Sequence, residues 1–115
     1  MLISTRTFGF PPTEAILRYV EARMASALGA YSRHVFKVTV RLADVNAARG
    51  GIDKRCQAVV ALRGGRTEVV DAIETDLYAA IDAAAGRIRS AVGSTVARDL
   101  DRDRQDPLTS GALVA

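Results

Sequence analysis

"VFKVTVRLADVNAARGGIDKRCQAVVALRGG", residues 35–65, is where the chain changes its period. Upstream, apolar residues recur every three or four positions. Here they recur every two. Phe36, Val38, Val40 and Leu42 share one phase, and Lys37, Thr39 and Arg41 share the other. The alternation resumes with Cys56, Ala58, Val60 and Leu62 against Arg55, Gln57, Val59, Ala61 and Arg63. Such alternation marks half-buried strands. The intervening "DVNAARGGIDKRC", residues 44–56, is then a connection between antiparallel strands, its glycines supplying positive φ. It is not a phosphate-binding loop, because that needs GxxxxGK[ST] running into a helix, and here a strand follows. Cys56 falls on the inward phase and reads as a small hydrophobe. A reactive thiol would want a nearby histidine, and the single histidine, His34, reads as part of a helix–strand connection.

Downstream, Gly64-Gly65 makes a second turn into a strand over Thr67–Glu74. Val70 and Ala72 face inward there, because the other register would bury Asp71. Thr75 or Asp76 caps a helix whose stripe is Leu77, Ile81, Ala84, Ile88, Val92 and Val96. Upstream, Leu2–Phe8 reads as a short strand closed by Gly9, Pro11 and Pro12. Thr13 caps a helix carrying Ile16, Val20, Met24, Ala27 and Tyr31, with Leu17 and Leu28 on its flank. The order is β-α-β-β-β-α. This is an α+β domain with two helices packed on one face of a four-stranded mixed sheet. The other sheet face is left bare, with Lys37, Thr39, Arg41, Arg55, Gln57 and Arg63 on it. Past Arg98 the pattern dissolves into "DLDRDRQDPLTSGALVA". This reads as a frayed helix end followed by a disordered tail, so the domain is expected over residues 1–98, with a disordered charged tail over 99–115.

A chain of 115 residues is one domain by length. It has no Trp and few aromatics, so the core must be aliphatic. One cysteine makes no internal disulfide, and zinc wants several Cys/His ligands. The N-terminus lacks a signal-peptide pattern, and no apolar run approaches the ~20 residues that span a bilayer. The expectation is a cytoplasmic protein with no metal, no cofactor and no membrane partner. There is no nucleophile elbow, telling carboxylate pair or nucleotide fingerprint, so an enzyme is not expected. Charge is unevenly spread. Residues 33–66 carry eight basic against two acidic side chains, while residues 67–115 carry five against nine. Arginine predominates, which suits bidentate phosphate contact.

"DLYAAID", residues 76–82, opening the second helix after a hairpin, resembles the signature of the bacterial ribosome hibernation-promoting factors. These are also called ribosome-associated translation inhibitors and, in older usage, sigma-factor modulation proteins. The likeness extends through "GGRTEVVDAIETDLYAAID", "EAILRYVEARMASALGAYS" and "VFKVTVRL", over roughly residues 1–98. It implies a domain similar to double-stranded RNA-binding domains. It also implies a non-catalytic function: occupying the mRNA/tRNA channel of the small ribosomal subunit under stress, through basic contacts to ribosomal RNA. By position, Arg23, Arg87 and Arg98 match family basic positions, and Arg18 and Arg89 lie nearby. Ser90, Ser94 and Val96 stand where family members often carry further cations, so the helical basic patch is thin. The sheet residues Lys37 and Arg41 and the arm residues Arg49, Lys54 and Arg55 are candidates to compensate. The chain resembles the short form, which lacks a C-terminal dimerisation domain.

Two alternatives remain beside this reading. One is an RNA-binding module for another structured RNA. The other is a dimerising interaction domain using the open sheet, with Val59 and Ala61 at its apolar centre. No DNA partner is expected.

Overall fold

Every expected strand and helix forms in the computed structural model, which describes residues 1–44 and 54–105, with side chains to residue 101. The elements are β1 (Leu2–Phe8), α1 (Glu14–Leu28), a 3-10 turn (Gly29–Tyr31), β2 (Val35–Asp44), β3 (Lys54–Leu62), β4 (Thr67–Glu74) and α2 (Leu77–Gln105). The strands form one sheet in the order β1-β2-β3-β4. β1 runs parallel to β2, and the other pairs are antiparallel. A parallel pair needs a long crossover, and α1 supplies it.

Thr13 starts α1 by accepting a hydrogen bond at Oγ1 from the Ile16 N–H at 3.2 Å. The buried stripe is Ile16, Val20, Met24 and Leu28. Leu28 is thus a core residue and not a flank, while Ala27 and Tyr31 are only partly buried. The change of helix type after Leu28 re-aims Tyr31. Asp76 is the cap of α2, its Oδ2 accepting from the Ala79 N–H at 3.1 Å. Ala80, Ile81, Ala84, Ala85, Ile88, Val92 and Val96 then face the sheet, with Leu77 partly buried at its rim. α2 runs past Arg98 to Gln105, so residues 99–105 belong to the helix. An exposed helix end needs no apolar stripe, and Arg66 holds this one by pairing with Asp99 at 3.2 Å.

On the helix side of the sheet, Val38, Val40, Leu42, Cys56, Ala58, Val60, Leu62 and Ala72 are all buried, with Val70 packed against them. This is the phase expected from the alternation, with one correction. Phe36 is 53% exposed and Val35 is fully buried. The pairing passes from Val35↔Leu62 directly to Lys37↔Ala61, leaving Phe36 as the extra residue of a bulge. A bulge inverts the alternation for every residue before it. Gly64 and Gly65 have φ of +97° and +96°, as a tight antiparallel turn needs. The Gly50-Gly51 connection and residues 106–115 lie outside the described residues.

Candidate nucleic-acid interface

The "DLYAAID" stretch works as a structural device. Asp76 caps the helix, Ala80 and Ile81 enter the core, and Tyr78 and Asp82 meet α1. The Tyr78 ring stands edge-on to Tyr19, with centroids 4.8 Å apart at 79°. The Asp82 carboxylate accepts from the Tyr19 hydroxyl at 2.6 Å and from Arg23 Nε at 2.8 Å. The hydrogen bond to Asp82 raises the Tyr19 pKa above its ordinary value, since losing that proton would set two anions together. Asp82 therefore pins α1 to α2 and sets Arg23 at their seam.

Arg89 comes to the same seam from α2. It lines a cleft of about 110 Å³ with Arg23, Ser26 and Gly86. The cleft opens into a broad groove of about 660 Å³ along the outer side of α2, where Arg89 is followed by Ser90, Gly93 and Ser94, with Tyr31 as the far wall. Gly93 allows the close approach of Tyr31, for a Cβ there would lie 2.7 Å from the tyrosine hydroxyl. Beside Tyr31 the small side chains of Gly86, Ser90 and Ser94 leave the helix accessible to a large partner, and Arg89 supplies charge at one end, next to Arg23, which is paired with Asp82.

The other candidates fall elsewhere. Arg87 and Arg98 share the flank of α2 that lies over β4. The Arg87 guanidinium donates to the Asp71 carbonyl, and Arg98 donates to Thr95 Oγ1 at 3.2 Å. Thr95 in turn donates to Glu68. Arg18 pairs with Glu14 one turn back on the exposed side of α1. Lys37 and Arg41 lie on the opposite, open side of the sheet. Arg55 is on that side too but is bound to Asp71 at 2.7 Å. Lys54 pairs with Asp44 at 3.1 Å. Arg49 lies outside the described residues. The candidates therefore divide between two surfaces with the whole sheet between them. Sequence reading did not foresee Tyr19, Asp82 and Tyr31 at the seam, nor Asp71 as the partner of Arg55. The one signal it offered was that Asp71 shares a strand phase with two exposed apolar residues, Val69 and Ile73.

Cys56 is wholly buried, and its thiol is pushed up to about 12 by burial first and by Asp71 second. Its register partner on β2 is Leu42, whereas His34 precedes Val35 at the far end of that strand. More than ~20 Å of strand separates them. No group of His, Cys, Asp or Glu suited to a metal ion occurs among the described residues. No helix among them is long and apolar enough to cross a membrane.

Element order, strand pairing and the one-sided helical layer define a β-α-β-β-β-α domain with an arginine-bearing seam between its helices. The chain belongs to the family described as sigma 54 modulation protein / S30EA ribosomal protein, whose pattern it matches over residues 3–98. Among solved structures it is similar to the N-terminal domain of Protein Y from Thermus thermophilus. The two are 31% identical, with a TM-score of 0.67, over 80% of this chain and 96% of that one. A ribosomal subunit interface protein from Coxiella burnetii shares the fold at 18% identity, with a TM-score of 0.73, over 84% of this chain and 99% of that one. No curated protein matches the chain.

Proposed function

We propose that this protein is a cytoplasmic ribosome-binding translation inhibitor. It would bind the small subunit through contacts to ribosomal RNA and occlude the mRNA/tRNA channel by bulk, without chemistry. The observation that carries this reading is the seam, where Arg23 and Arg89 converge beside a groove of glycine and serine in a chain of this family. The name of the Coxiella protein points the same way. A phosphate backbone can approach the helix beside Tyr31, because Gly86, Ser90 and Ser94 carry nothing longer than a serine side chain. Arg87, Arg98 and Arg18 would add contacts along the two flanks of the helical layer. Ser90 and Ser94 make the patch thin in charge, so binding should be modest and its salt dependence shallower than a fuller basic patch would give.

Co-sedimentation with small subunits over a salt series tests this. The wild type should pellet at low salt and be released as salt rises. Arg23→Ala/Arg89→Ala should lose about tenfold or more in affinity and show a shallower salt slope. A wild type that stays in the supernatant at low salt defeats the proposal.

A further inference from the structure

We propose that the open face of the sheet is a second binding surface, which takes a segment of single-stranded RNA. The strand register lays this face out in rows. One row reads Arg6, Arg41, Gln57, Asp71 across β1 to β4. The next reads Phe8, Ala43, Arg55, Ile73. Arg6 and Arg41 are direct register partners, and both are exposed. Like charges directly opposite on adjacent strands repel. Among the described residues neither has an acidic partner, and Arg41 only donates to the Gln57 side-chain oxygen at 3.5 Å. The face's acid, Asp71, is already taken by Arg55. Lys37 extends the positive charge along β2 from Arg41, on the same side. An anion laid along β1 and β2 would relieve this repulsion.

The apolar groups beside these cations point to an anion that also carries flat apolar faces. Arg41, Arg55, Gln57 and Phe8 line a pocket of about 200 Å³, floored by Ala43. Phe8 is 54% exposed there, and Phe36 is similarly exposed at the other end of β2 because of its bulge. Nucleic-acid bases stack on such rings with little regard for sequence, while arginines and lysines hold the phosphates between them. A second copy of this chain fits poorly, since a two-fold contact would bury both sets of Arg6, Lys37 and Arg41 while the acid of this face, Asp71, is already bound to Arg55. RNA is chosen over DNA because the proposed function sets the domain among RNA; in that respect alone the inference rests on that function.

The test is fluorescence anisotropy of the isolated protein with a labelled oligouridine of about a dozen nucleotides. Arg6→Ala/Arg41→Ala and Phe8→Ala should each weaken binding roughly tenfold. All three positions are exposed, and an unchanged thermal melt shows that the variants fold. Arg23→Ala/Arg89→Ala should bind the oligonucleotide within about twofold of wild type, although it fails with small subunits. Four outcomes overturn the inference: no wild-type binding at low salt; equal loss from the helix pair; equally tight binding of a glutamate-rich peptide; or a dimer that the sheet variants convert to monomer without changing RNA affinity. Because oligonucleotide and subunit are assayed apart, failure of this surface leaves the helical seam standing, and the reverse.

Discussion

The two faces of this sheet are built from the same four strands, yet they are chemically opposite. Under the helices the inward positions of β3 from Cys56 to Leu62 are apolar and buried. On the open face the intervening positions mix Arg55 and Gln57 with Val59 and Ala61, and β4 adds exposed Val69 and Ile73 around Asp71. One face is dry and aliphatic, and it holds the molecule together. The other combines exposed apolar area with charges that do not cancel. The difference teaches that stability and recognition are divided by the pleat itself, residue by alternate residue.

The sharpest way to break this comparison is truncation on each side. Leu42→Ala removes a wholly buried side chain and should cost ~2–5 kcal/mol in urea unfolding. Val69→Ala on the open face should stay within ~0.5 kcal/mol. Similar costs would mean that the open face is packed against something in solution.

The buried thiol gives a pH version of the same contrast. Cys56 keeps its proton in the folded state up to about 12, against an ordinary value of 9.0. Above pH 9 the unfolded chain releases a proton that the folded chain retains. Stability should therefore fall as pH rises through that window, at up to ~1.4 kcal/mol per pH unit. Native protein at pH 8 should react with a thiol reagent only as fast as it unfolds. Rapid labelling would contradict the burial.

Asp82→Ala tests whether the helical layer depends on its seam. It removes the acceptor of Tyr19 and Arg23, both partly exposed, and should cost ~1 kcal/mol. It should also lower the Tyr19 pKa toward its ordinary value in a tyrosinate titration. Smallest is a glycine pair. Gly86→Ala meets nothing within 4 Å and should stabilise α2 by up to ~1 kcal/mol. Gly93→Ala meets the Tyr31 hydroxyl and should gain less, the gain returning when Tyr31 is also Ala.

Much of this architecture was readable in the residues. The period-two runs placed Val38 to Leu42 and Cys56 to Leu62 inward, and the need to keep Asp71 exposed chose Val70 and Ala72 on β4. Phe36 was misplaced because a bulge is a property of two strands in register, and alternation within one strand carries no sign of it. The extent of the helix beyond Arg98, expected only as a frayed end, was not readable for a related reason. No apolar stripe marks it, and what holds it, Arg66 on Asp99, joins residues far apart in sequence. For the candidate site, residue types were legible and groupings were not. Arg23 and Arg89 meet because Asp82 ties the helices. Arg55 was counted as a cation, although Asp71 two strand positions beyond its own partner in the next row neutralises it. Arg6 attracted no notice until β1 paired in parallel and set it against Arg41.

By itself the sequence determined the elements, their order and which side of each is apolar, because hydrophobic periodicity acts within a few residues along the chain. Only the tertiary structure decided which charges remain available. Neutralisation depends on what stands opposite across a strand pair or a helix seam, at distances of a few ångströms that separation along the chain does not reveal.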